Sequence, residues 1–136
     1  MKITLGYKSD HEYFATNESG NRIEIDMLSA EEKQAMSPMQ LLLAGVVACA
    51  AVDIVAMVKK RRKTLTDFAG EIMGERREEI PKKFVVMDLK YIFTSPDLSQ
   101  EEAQKLVDLA VEKYCSVASS IDPAIKVSHV AEIIRP

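Results

Sequence analysis

Twelve consecutive apolar residues, Leu41 to Val52, followed by Asp53 and then Ile54 to Val58, constrain this chain more than any other feature. Pro38 stands near the start, where proline suits the first helical turn because its missing N–H is not needed there. Five basic residues, Lys59 to Lys63, close the end, where the helix dipole favours cations. The segment therefore reads as one long helix, with Ser37 as a candidate N-cap. No polar stripe recurs at helical spacing, so protein or lipid must cover it on all sides. The run has about the minimum length to span a bilayer. Asp53 would then sit inside the hydrocarbon, at a cost of roughly 2.5–3.5 kcal/mol. Ala44, Gly45, Ala48, Ala50, Ala51 and Ala56 also make the segment small rather than greasy, and patterned soluble elements flank it. The reading is a core helix and no membrane span. A chain of 136 residues has few elements with which to wrap a helix completely, so a two-fold partner is expected, giving a homodimer.

The length fits a single domain, residues 1–136, large enough for a real core. A net charge of −3 argues against nucleic acid as a partner. Met1 to Asp10 is strand-like and lacks the apolar core of a signal peptide, so a cytoplasmic location is expected. In a reducing compartment, the two cysteines, Cys49 and Cys115, are not expected to form a permanent staple. They are either inert core thiols or a working redox pair.

Around the central helix the elements fall in a simple order. Lys2–Tyr7, His11–Thr16 and Arg22–Asp26 read as three short strands, a meander with Ile23 and Ile25 facing inward. Asn17 to Gly20 is a turn by composition. Thr66–Arg76 and Lys83–Thr94 form a long hairpin, with Val85, Met87, Leu89, Tyr91 and Phe93 on one face. Ser99 with Glu102 is a capping-box pattern opening a helix whose stripe is Ala103, Leu106, Val107, Ala110, Val111 and Tyr114, with Cys115 at its end. Ser116–Ile121 continues as a short helix, and Ile125–Ile134 is the last strand. Segregated strands and helices make the fold class α+β.

Two helices that both need burial in one small core carry the two cysteines, which makes contact between them reasonable. A buried thiol is most often a small hydrophobe with a raised pKa. To react, Cys49 needs a nearby cation, because it lies about three turns from its own helix start. Asp53, one turn further on the same face, would disfavour a thiolate if the two touched. Arg22 is the candidate cation. His11 and His129 with two cysteines give no metal-ligand spacing, so neither metal nor cofactor is expected. His129, in an alternating strand, reads as a satisfied structural residue. The basic run Lys59–Lys63 reads as a solvated helix end. There is no glycine-rich phosphate loop and no serine–histidine nucleophile motif.

Two local sequences are similar to a known family. Ser37-Pro38-Met39-Gln40-Leu41-Leu42-Leu43-Ala44, leading into Ala48-Cys49, resembles the central-helix motif of the OsmC/Ohr proteins. Lys113-Tyr114-Cys115-Ser116-Val117 resembles their second cysteine motif. The element order matches too. The resemblance implies an intertwined α+β homodimer with two long helices at its centre and paired active sites at the subunit interface. It implies a thiol peroxidase acting on organic hydroperoxides in the oxidative stress response, with Cys49 attacking the peroxide, Cys115 resolving to a disulfide and a dithiol reductant closing the cycle. An arginine from the N-terminal region and a glutamate ten residues before the first cysteine orient the thiolate in the family. Arg22 lies in about the right region, whereas Met39 holds the glutamate position. Ser116 stands where the organic-hydroperoxide branch has proline, so the chain resembles the general OsmC-like branch. The alternative is a non-catalytic redox sensor, or a dimer that binds a small apolar ligand in the same cleft.

Overall fold

The computed structural model describes the whole chain, Met1–Pro136. It divides into two compact units, Met1–Leu42 and Leu43–Pro136.

In the N-terminal unit, β1 (Ile3–Ser9), β2 (Glu12–Asn17) and β3 (Arg22–Asp26) pair as the expected antiparallel meander. Asn17 builds the second turn. Its Oδ1 accepts from the Ser19 and Asn21 N–H groups, and Gly20 adopts the left-handed φ of 84° that the turn requires. The register aligns Leu5, Ala15 and Ile23 across one face and Tyr7, Tyr13 and Ile25 beside them. The alternation is as the sequence indicates, but the face is not covered. Ile3, Leu5 and Tyr7 are 63–68% exposed, and Ile23, expected inward, is 50% exposed.

Asp26 organises the connection that follows. Its nearly buried carboxylate accepts from Lys33 Nζ at 2.8 Å and from the N–H groups of Gln34, Ala35 and Leu28. The Lys33 ammonium, helped by those backbone donors against the effect of burial, pulls the carboxyl down to a pKa of about 2.

The helix α1 (Pro38–Lys60) begins with a reciprocal cap. The Gln40 N–H donates to Ser37 Oγ, and the Ser37 N–H to Gln40 Oε1. It ends in a Schellman turn. Arg62 N–H reaches Lys59 O and Lys63 N–H reaches Val58 O, with Arg62 at φ 57° where glycine is usual. By length and composition the helix could cross a membrane, yet Val46, Ala50, Ile54 and Val58 form a stripe buried in the protein core. All-round burial is not reached within one chain: Ala48, Val52 and Ala56 form an exposed line, with Val52 at 69%.

In the C-terminal unit, β4 (Asp67–Arg76), β5 (Phe84–Thr94) and β6 (Lys126–Ile134) form a second sheet, with β5 central, antiparallel to β4 and parallel to β6. Met87, Leu89, Tyr91 and Phe93 are buried as expected. Val85 is not. The ladder shifts between Glu75 and Arg76, leaving Val85 unpaired and 37% exposed while Phe84 takes the inner position. Gly70 and Gly74 let α1 come close: a Cβ on Gly74 would lie 2.5 Å from the Phe84 ring and 2.9 Å from Leu43 Cδ2.

The helix α2 (Gln100–Leu109) carries the predicted capping box at Ser99 and Glu102, and buries Ala103, Leu106 and Val107. Its glutamines finish the sheet. Gln104 Oε1 accepts from the Ala131 N–H, Gln100 Nε2 donates to Ala131 O, and Gln100 Oε1 accepts from the Ile133 N–H. The otherwise open edge of β6 is thereby occupied. One π turn, Ala110–Tyr114, follows, then the short helix α3 (Ser116–Ser119).

Two outcomes are expected. Gly74→Ala forces a methyl group into the ring of Phe84 and lowers stability to urea by about 1–3 kcal/mol, the usual cost of overpacking. Asp26 has a lower pKa folded than unfolded, so its contribution is complete above about pH 4 and is lost as pH falls toward 2. Asp26→Asn should therefore show a shallower loss of stability across that window, read by fluorescence or circular dichroism during acid titration.

Candidate active site: the Cys49–Cys115 pair

Cys49 sits three residues past Val46 at the midpoint of α1, which packs on the sheet, and Cys115 follows the π turn. The turn explains how Cys115 reaches the core. A regular helix through Ala110, Val111 and Tyr114 would keep Tyr114 on the buried stripe. Instead the Cys115 N–H bonds back five residues to Ala110 O at 2.8 Å. The extra residue in the loop rotates Tyr114 outward, to 50% exposure, and turns Cys115 inward, to 1%.

The two thiols lie near each other within the C-terminal unit, and neither is in a disulfide. Their surroundings differ. Cys115 is buried, its sulfur accepting the Ala118 N–H at 3.3 Å and facing Val46 O at 4.0 Å. Burial pushes its pKa up, the Ala118 N–H opposes this, and the Cys49 thiol adds to the rise. Cys49 is half-buried. The pair thus joins one enclosed cysteine, favoured as a thiol, to one that is only half-buried.

Tyr91, on β5, is the third member, which sequence reasoning placed only on an apolar face. It is fully buried, and its hydroxyl donates to Val47 O on α1 at 2.8 Å. Burial, then Cys115 and Cys49, raise its pKa well above that of a free phenol. The signal was available: a tyrosine on an inward-facing strand position needs a partner for its hydroxyl.

Arg22 belongs to the other unit. On β3 its Nε donates to Glu24 Oε1 at 2.6 Å, and its guanidinium lies 3.7 Å from the centroid of the Phe14 ring. Asp53 borders a cavity of about 390 Å³ with Ala56, Met57, Lys60 and the outward-turned Tyr114. His129 lies between two carboxylates, Nδ1 3.1 Å from Asp108 Oδ1 and Nε2 3.3 Å from Glu112 Oε1. Nδ1 has no aligned hydrogen bond, so the simple expectation of a satisfied histidine is not met. No group of three or more His, Cys, Asp or Glu side chains is arranged to hold a metal ion.

The model of the OsmC-like protein family matches residues 30–130. The chain belongs to the OsmC family. Protein YhfA of Escherichia coli K12 is 34% identical over 122 residues, 90% of each chain. A hypothetical protein from Aquifex aeolicus VF5 superposes with a TM-score of 0.86 at 25% identity, covering 99% of this chain and 96% of its own. An organic hydroperoxide resistance protein OsmC from Legionella pneumophila shares the fold, with a TM-score of 0.73 at 22% identity over 97% of both chains. The α+β class inferred from element order is that of these structures.

The unequal exposure of the two sulfurs predicts unequal reactivity. In the folded protein, Ellman's reagent should modify Cys49 first and Cys115 more slowly. Cys49→Ser should remove the fast phase, and denaturation should merge the two.

Proposed function

We propose that this OsmC-family protein is a two-cysteine thiol peroxidase for organic hydroperoxides, working as a cytoplasmic homodimer in the oxidative stress response. The observation that carries the reading is the proximity of a half-buried Cys49 to an enclosed Cys115, both free. The names of relatives add to it: proteins sharing this fold are described as organic hydroperoxide resistance proteins. The uncovered faces of α1 and of the first sheet supply the surface a second copy would bury.

In this reading Cys49, as thiolate, attacks the outer peroxide oxygen. The O–O bond breaks, the alcohol leaves with a proton, and Cys49 becomes a sulfenic acid. Cys115 then attacks the Cys49 sulfur, water leaves, and a disulfide forms. A dithiol reduces it by exchange, becoming a disulfide itself. No metal or cofactor takes part. Arg22 is assigned to favouring the Cys49 thiolate, a role that requires it to leave or share Glu24. The cavity bordered by Asp53, Met57 and Tyr114, one helical turn beyond Cys49, offers room for the organic part of the peroxide.

A second reading rests on Met39, which removes the carboxylate that orients the thiolate and its arginine in peroxidase members. On that reading the same pair senses oxidants, or the cleft holds an apolar ligand, without turnover.

Cumene hydroperoxide with dithiothreitol separates the two. The peroxidase reading expects steady consumption, lost in Cys49→Ser, and in Cys115→Ser a sulfenic acid that dimedone traps. Wild-type protein no faster than Cys49→Ser leaves the sensor reading.

A further inference from the structure

We infer that Tyr91 is a positioning residue for the thiol pair: its hydroxyl, bonded to the Val47 carbonyl, sets the height and rotation of α1 at which Cys49 meets Cys115. The inference rests on reading the two cysteines as a redox pair.

The geometry is specific. Val47 O already serves α1 by accepting an N–H one turn on, so the phenol takes its second lone pair. The preceding carbonyl, Val46 O, faces the Cys115 thiol. Two successive carbonyls in the turn just before Cys49 are therefore held by Tyr91 and Cys115. The tyrosine itself has little freedom. Phe68 stacks on its ring with centroids 5.7 Å apart and planes 2° from parallel, and a Cβ on Gly70 would lie 3.0 Å from the ring and 3.1 Å from Val47 Cγ2. A rigid ring on the central strand thus grips α1 at one point. A leucine or phenylalanine would fill the same space without fixing the helix along its axis. The elevated pKa of Tyr91, due first to burial and then to Cys115 and Cys49, keeps the phenol a neutral donor when one sulfur ionises.

Disulfide formation in a glutathione redox buffer, without peroxide, tests this. Tyr91→Phe keeps the ring and its stacking and removes only the donor. It should lower the equilibrium constant for the Cys49–Cys115 disulfide about fivefold, the factor one ordinary hydrogen bond carries. With hydroperoxide it should also raise the fraction of Cys49 sulfenic acid trapped by dimedone. Phe68→Leu, which disturbs the same cluster and leaves the hydroxyl in place, is the stability control and should leave that equilibrium within twofold of wild type. A Tyr91→Phe equilibrium equal to wild type, or one matched by Phe68→Leu, overturns the inference, as does a wild-type protein that forms no Cys49–Cys115 disulfide. A disulfide that forms and responds to Tyr91 in a protein that consumes no hydroperoxide supports the inference and counts against the peroxidase reading alone.

Discussion

The close approach of α1 to the second sheet is the contact on which the rest depends. An apolar helix gains most by lying flat on a sheet, but side chains on both surfaces normally keep the axes apart. Here Gly70 and Gly74 open the middle of β4, and Leu43 and Val47 of α1 settle there. That close packing brings the Val47 carbonyl within reach of a tyrosine rooted in the neighbouring strand. Burial of Val46, Ala50, Ile54 and Val58 supplies the driving force. The hydroxyl of Tyr91 adds what burial lacks, a direction along the helix axis, since apolar contact alone tolerates sliding.

The π turn solves the complementary problem on the other side. α2 is committed by its capping box and by two glutamines bonded to β6, so its axial position is fixed before the chain reaches Ala110. A regular continuation would leave Tyr114 inside and Cys115 beside the core. One residue of extra loop exchanges them. π turns form poorer hydrogen bonds than α-helix and are often found at functional sites. This one delivers a sulfur, and the α3 turn that begins at the same residue returns an N–H to it from Ala118.

Much of this was legible in the sequence. The order of elements, the bounds of β3 and the start of α1, the capping box and the inner face of β5 follow from period, capping chemistry and turn residues acting locally. What escaped is non-local or fine-grained. Val85 leaves its face because of a ladder shift set by β4, and Tyr114 leaves its stripe because of a π turn that no residue type announces. The end of α1 has Arg62 in a left-handed conformation, where a glycine would have been recognised. Ile23 faces outward because patterning tells which side of a strand is apolar and not whether the same chain covers it. For the site, the two sulfurs could be paired by motif and by shared need for burial. Tyr91 was visible only as one of five alternating residues, and Arg22 only by its region of the chain.

On the proposed two-cysteine reading, unequal burial sets the order of events at the pair. A nucleophilic thiol needs its anion, and a low-dielectric site disfavours that anion unless donors compensate. The backbone N–H groups of Ala118 and, more weakly, Val117 reduce the effect of burial on Cys115 without reversing it. It is therefore a poor first nucleophile and is shielded from bulky oxidants. Once Cys49 carries an oxidised, electrophilic sulfur the requirement changes. Cys115 needs no access to solvent, only contact, and any thiolate formed there is used at once by its neighbour. On either proposed reading, enclosing Cys115 and leaving Cys49 half-buried makes the sequence of steps follow from position, whether the oxidant arrives as a substrate to be consumed or as a signal to be registered.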